Sequence, residues 1–67
     1  MLKKQLGRRI AKLRRAAGLT QAQFAEKNGY STDFISLVER GINAPSVAGL
    51  QRMAKILKVS VKDLFDF

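Results

Sequence analysis

The sequence predicts an all-α domain of five helices, with a tight glycine turn joining the second and third. Three observations predict it. Apolar residues recur at helical spacing along the chain, beginning with Leu6, Ile10 and Leu13. Each periodic stretch after the first is preceded by a Ser or Thr suited to capping a helix, and glycines stand where helices should stop. No stretch alternates polar and apolar residues for long enough to make a strand. With 67 residues the chain is expected to be one domain, 1–67, without repeats or linkers. A domain of this size buries only about 60% of the surface its unfolded chain exposes, so its core has to be compact.

The first helix is expected from Leu2 to Ala17, because Leu2, Leu6, Ile10, Leu13 and Ala17 draw one apolar stripe. Lys4, Arg8, Lys12 and Arg15 fall on the opposite side, and Gly18 ends the helix. Thr20 and Gln23 make a capping box for a second helix, Gln21 to Asn28, which buries Phe24 and Ala25 behind Leu19. Gly29 breaks that helix and Ser31 caps the third, Thr32 to Arg40, which buries Ile35 and Val38 and is closed by Gly41. After the loop Ile42-Asn43-Ala44-Pro45, Ser46 caps a fourth helix running to Lys58, with Leu50, Met53, Ala54 and Leu57 inward. Ser60 caps a last short helix, Val61 to Phe65, whose Leu64 and Phe65 are expected to join the core.

Composition narrows the chemistry. The chain has no cysteine, histidine or tryptophan, which removes disulfides and the usual zinc ligands, so no metal or cofactor is expected. Without His or Cys, and without a glycine-rich phosphate loop, nucleophilic and metal-assisted catalysis lack their usual parts, and an enzyme is not expected. No secretory signal is seen, and no run approaches the roughly 20 apolar residues that span a bilayer, so a cytoplasmic protein is expected. The net charge is +8, and residues 1–15 hold seven bases and no acid. The other 52 residues are nearly neutral, with six bases against five acids. A basic patch at one end suggests a polyanionic partner, nucleic acid or an anionic membrane surface, and charge alone does not choose between them.

The stretch Leu19–Gly41 has the layout of a helix-turn-helix, whose second helix enters the DNA major groove. Its third-helix residues Ser31, Thr32, Asp33, Ser36, Leu37 and Arg40 should face outward, since Ile35 and Val38 face the core. Thr32 suits a hydrogen bond to a base or phosphate, and Leu37 suits a thymine methyl. Asp33 fits either a cytosine amino group or, as the favoured reading, the helix dipole, worth about 0.3–1 kcal/mol. Phe34 either packs on Tyr30 or lies partly exposed against the sugar-phosphate backbone. Gln21 is placed to donate to a phosphate beside the free N–H groups of its helix end, although a plain surface role is open to it. The loop Gly41–Ser46 offers backbone N–H groups, the Asn43 amide and the Ser46 hydroxyl to a second phosphate. Arg8 and Arg15, on the basic face of the first helix, are expected to approach DNA, the alternative being a solvated charged face. Arg14 and Glu39 are expected to pair, because a carboxylate at a helix C-terminus is opposed by the dipole and wants a cation; otherwise they are unrelated surface charges.

These motifs, in their order and spacing, resemble the Cro/repressor-type helix-turn-helix domains of phage and bacterial regulators. The residues that carry the resemblance are Leu6-Gly7-Arg8-Arg9-Ile10, Leu13-Arg14, Gly18-Leu19-Thr20-Gln21, Ala25-Glu26-Lys27, Ile35-Ser36, Glu39-Arg40-Gly41 and Pro45-Ser46, followed by Leu57, Val59-Ser60 and Leu64-Phe65. The resemblance implies a compact five-helix, lambda-repressor-like domain of bacterial or phage origin that binds double-stranded DNA as a homodimer. Carried over by position, Gln21, Thr32, Asp33, Phe34, Ser36, Leu37, Arg40 and Asn43 fall where such domains touch DNA, and Arg14 and Glu39 where they often hold a partly buried ion pair. Tyr30 stands where the family usually has a small aliphatic residue, and Asn28 replaces a small or apolar one, so the turn should pack differently and re-aim the recognition helix slightly. Many relatives carry a second domain, so a chain ending at Phe67 is expected to be a minimal regulator or an excised domain.

The reading that follows is a transcriptional regulator, most simply a repressor, whose two copies sit on half-sites about 34 Å apart. Val59, Phe65 and Phe67 are the candidate dimer residues, with Leu50 less suited. No membrane partner and no small-molecule ligand is expected. The alternative is a protein-interaction module, such as an antitoxin or anti-regulator keeping the fold. A membrane-surface peptide built on the basic first helix leaves the helix-turn-helix spacing without a purpose.

Overall fold

The computed structural model describes residues 1–67 and contains five helices and no strand. They are α1 (Leu2–Ala16), α2 (Gln21–Asn28), α3 (Thr32–Glu39), α4 (Val47–Leu57) and α5 (Val61–Leu64). Thr20, Ser31, Ser46 and Ser60 each accept a hydrogen bond from the backbone N–H three residues on, and so cap α2 to α5. The Thr20–Gln23 pair forms a reciprocal capping box, with both bonds in place.

Four of the helices are closed by one device. After α1, α2 and α3 a glycine adopts φ near +76°, at Gly18 (75°), Gly29 (76°) and Gly41 (78°). The next amide then bonds back five residues, Leu19 to Arg14, Tyr30 to Ala25 and Ile42 to Leu37. Helix α4 ends in the same way on Lys58 (φ 60°), with Val59 N–H reaching the Ala54 carbonyl. Lys58 therefore lies outside α4 rather than within it, since a left-handed residue cannot continue a right-handed helix.

The core gathers Ile10, Phe24, Ile35, Met53 and Leu64, all fully shielded, with Leu6, Ala25, Val38, Ala54 and Leu57 around them. Each large side chain buried here contributes about 1.5–3 kcal/mol. Leu13, Leu19, Leu50 and Val59 are half-buried against this cluster. Three expectations are corrected at the edges. Leu2 remains 62% exposed, although Leu6 and Ile10 on the same stripe are buried. Ala17 lies outside α1 and is exposed. Phe65 leaves the helix at the α5 cap and is 40% exposed instead of buried, Leu64 alone filling the core from that element.

Helix α3 packs on α1 and α2, while α4 packs on α2 and α5. The α1–α3 crossing is close because position 7 is a glycine. A Cβ there would collide with the Val38 carbonyl oxygen and lie 2.7 Å from that of Glu39. No helix is long and apolar enough to cross a membrane.

Candidate nucleic-acid interface

Helix α3 turns Ile35 and Val38 into the core, which leaves Thr32, Asp33 and Arg40 exposed and Ser36 and Leu37 half-buried on the outer face. Asp33 sits in the first turn, where the helix dipole favours an acid. The Ser31 hydroxyl accepts from the Phe34 amide at 3.0 Å and so serves as a cap. Phe34 is half-buried, its ring centroid 4.6 Å from that of Tyr30, so the ring packs on the turn.

Behind α3, Arg14 and Glu39 form a bidentate pair, Nε to Oε2 at 2.6 Å and Nη2 to Oε1 at 3.0 Å. Their side chains are only 10% and 6% exposed. Arg14 Nη1 also donates to the Leu19 carbonyl at 2.7 Å, and Gln21 Nε2 donates to Glu39 Oε1 at 3.0 Å. One carboxylate thus joins α1, the entry to α2 and the end of α3. Gln21 consequently differs from expectation: its amide is turned to Glu39, and the Gln21 and Ala22 backbone N–H groups at the α2 terminus are what face outward unbonded.

Beside that network, Arg8, Arg15, Gln21, Ser36 and Arg40, together with Glu39 itself, line one shallow groove between α1 and the C-terminal half of α3. The sequence separates these residues by up to 32 positions, and the fold brings them together. Since Arg14 compensates Glu39, the groove presents three exposed guanidinium groups, each able to grip two phosphate oxygens. Not every base of α1 faces this way. Arg9 turns to α5, where Nε donates to the Asp63 carbonyl at 2.8 Å and Nη2 lies 3.9 Å from Asp66.

The loop after α3 offers less than its sequence suggests. The amides of Gly41, Ile42 and Asn43 bond to the Val38 carbonyl and, twice, to that of Leu37, so three expected phosphate donors are internal. The Ala44 and Ser46 amides and the exposed Asn43 side chain remain. Ser46 Oγ accepts from the Gly49 amide at 3.1 Å and keeps its own O–H to donate.

Among the proposed dimer residues, Val59 is half-buried against the core, whereas Phe65 and Phe67 are 40% and 53% exposed with ring centroids 6.4 Å apart. Sequence reasoning missed Gly7, Arg9 and the contacts of Tyr30 with α4. A glycine in mid-helix is itself a signal of close backbone approach, and at Gly7 it was available.

A family model described as a helix-turn-helix domain matches residues 5–66. The uncharacterised HTH-type transcriptional regulator y4dJ of Sinorhizobium fredii is 38% identical over 94% of this chain and 82% of its own length. Solved structures at higher than 30% identity share the fold, two of them as follows. The restriction-modification controller protein C.AhdI of Aeromonas hydrophila matches with a TM-score of 0.88 and 31% identity, over 92% of this chain and 94% of that one. SinR, a master regulator for biofilm formation solved in complex with DNA, matches with a TM-score of 0.84 and 34% identity, over 91% and 98%. Against the full-length SinR of Bacillus subtilis the chain spans 56% of the length. By these matches and the geometry above, the chain belongs to the Cro/repressor-type helix-turn-helix family of transcriptional regulators.

Proposed function

We propose that this chain binds double-stranded DNA in a sequence-dependent manner and represses transcription by occupying an operator. The observation that carries the reading is the groove of Arg8, Arg15 and Arg40 beside the capped, outward face of α3. The three guanidiniums and the N-terminal amides of α2 supply phosphate contacts, which fix register, while Thr32, Asp33, Ser36 and Leu37 read base edges. Asn43 and the Ser46 hydroxyl add a contact to the same strand. One copy offers few base contacts, so two copies bind a pseudo-palindrome with half-sites about 34 Å apart. The exposed Phe65 and Phe67 are the residues through which the copies meet. The bacterial relatives support a place in the bacterial cytoplasm and a role without catalysis.

Selection of binding sites from a random DNA pool, followed by anisotropy titration, tests this. The expected outcome is a two-fold symmetric site bound at least about 10³ more tightly than random DNA. Six to ten phosphate contacts should lower affinity by about 10³–10⁵ between roughly 50 and 200 mM salt. Arg8→Ala and Arg15→Ala should each weaken every sequence alike and reduce the salt slope by about one. A pool from which no sequence emerges would overturn the reading and assign the face to a protein partner.

A further inference from the structure

Tyr30 lies in the turn between α2 and α3, yet its side chain reaches a third helix. On one side its ring stacks on Phe34 in the first turn of α3, at 4.6 Å between centroids. On the other its hydroxyl occupies the space beside Gly49 in α4. A Cβ at position 49 would overlap Tyr30 Oη, lie 3.3 Å from Tyr30 Cζ and press on Pro45 Cβ at 3.0 Å. One turn further along α4, Arg52 sets its guanidinium carbon 5.1 Å from the Tyr30 ring centroid. Arg52 Nε also donates to the carbonyl of Asn28, the last residue of α2, at 2.9 Å. Since α3 packs on α1 and α2 and α4 on α2 and α5, Tyr30 bridges two helices whose backbones have little direct contact.

We propose that Tyr30, seated on Gly49 and clamped by Arg52, is a positioning residue that sets the angle of the first turn of α3 and thereby its base preference. The proposal rests on the DNA-binding reading. Helix α3 is held near its C-terminus by the Gly7 crossing and the Arg14–Glu39 pair and in its middle by the buried Ile35, so the direction of its first turn is what the Tyr30 side can still adjust. An eight-residue helix is about 12 Å long. A tilt of about 10° moves its first turn by about 2 Å, more than the roughly 0.5 Å that a positioned contact tolerates. Thr32 and Asp33 are in that turn, whereas Arg8, Arg15 and Arg40 lie near the anchor. Tilt therefore alters base contacts while leaving phosphate contacts in place.

Tyr30→Val, Tyr30→Phe, Gly49→Ala, Arg52→Gln and the Tyr30→Val/Gly49→Ala double variant test this through melting temperature, selected site and the affinity ratio of selected to random DNA. Tyr30→Val should hold random-DNA affinity within about twofold but lose about tenfold in the ratio, or select a different base under the first turn of α3. Tyr30→Phe should keep the wild-type site. Gly49→Ala should lower the melting temperature in the Tyr30 background and do so much less beside Tyr30→Val, where the Cβ has room. Arg52→Gln, which leaves the ring seated, should shift the ratio in the same direction by a smaller factor and keeps the test open if Tyr30→Val fails to fold. An unchanged site and ratio in Tyr30→Val and Arg52→Gln would overturn the proposal even if the Gly49 cycle is coupled, reducing Tyr30 to a packing residue. A wild-type chain that selects no sequence removes the DNA-binding reading and this proposal together, while the melting cycle still reports the Tyr30–Gly49 contact.

Discussion

The two ends of α3 are held by different chemistry. At the C-terminal end, α1 crosses at Gly7, and Arg14, Glu39 and Gln21 form a part-buried network in which both carboxylate oxygens are bonded. At the N-terminal end the support is a Ser31 cap and a stack of Tyr30 on Phe34. Nearby, Asn28 donates its amide to the Phe24 carbonyl while its Oδ1 is buried without a partner. A charged network of this kind is close to all-or-none, because removing one member strands the others in a poorly solvated site. The tilted Tyr30–Phe34 pair involves no buried charge and adds only about 0.5–1.5 kcal/mol beyond its area burial, so loosening it strands nothing. The charged end adjoins the three guanidiniums, and the aromatic end carries Thr32 and Asp33. On the proposed reading, the end of α3 beside the phosphate contacts and the end that carries its first base contacts are thus fixed by different kinds of interaction.

The contrast predicts its own breaking points. Glu39→Ala leaves Arg14 buried without its counter-charge, at a cost of about 3–5 kcal/mol. At about 0.05–0.15 kcal/mol per residue, that is a third or more of the roughly 3–10 kcal/mol a chain this short has. Thermal circular dichroism should show a large fall in melting temperature, and the paired change Arg14→Met/Glu39→Leu should recover most of it. Gly7→Ala should follow at about 1–3 kcal/mol from overpacking against the Val38 and Glu39 carbonyls, partly offset by the better helix propensity of alanine. Each kcal/mol lost appears as about 4–8 °C in melting temperature for a domain of this size. At the opposite end, Ser31→Ala should cost about 1 kcal/mol, and Ser31→Asp should be nearly neutral, because either oxygen accepts from the Phe34 amide.

The smallest effect lies away from α3 and serves as the reference. Asp63 is held below the usual carboxylate value of 3.8, first by the Ser60 backbone N–H and then by the Ser60 hydroxyl. Its folded-state value is depressed, so its contribution is complete above 3.8 and is lost as pH falls through the folded value. Because the Ser60 backbone N–H survives in Ser60→Ala, that variant should only lessen the shallow decline of melting temperature across this acid range, whereas Asp63→Asn should flatten it. A decline unaffected by that change would mean the dependence arises elsewhere.

Most of the fold was legible because its punctuation is local. Thr20, Ser31, Ser46 and Ser60 cap where their spacing predicts, and α2 has its expected bounds, since capping and glycine closure depend on a few adjacent residues. The fourth helix was expected to end at Lys58, but its left-handed cap there was not legible, because Lys58 takes a glycine's conformation while carrying a full side chain. Leu2 fits its stripe yet stays exposed, since a stripe tells which face is apolar and not how much of it is covered. At the interface, residue types pointed to Arg8, Arg15, Ser36 and Arg40, and the groove does contain them. What remained hidden was competition for hydrogen bonds. Gln21 faces Glu39, Arg9 faces Asp63, and the loop amides of Ile42 and Asn43 fold back on Leu37. Such choices depend on partners far away in sequence or on backbone direction, which a pattern of residue types does not encode.

The doubled acceptance by the Leu37 carbonyl has a thermodynamic consequence. With the amides of Ile42 and Asn43 both bound to it, the start of the loop is an extension of α3 and keeps its shape before any ligand arrives. Association then has little loop ordering to offset, in contrast to segments that fold on binding. The heat-capacity change of complex formation should accordingly match the apolar area covered at the interface, with no added contribution from folding of the loop.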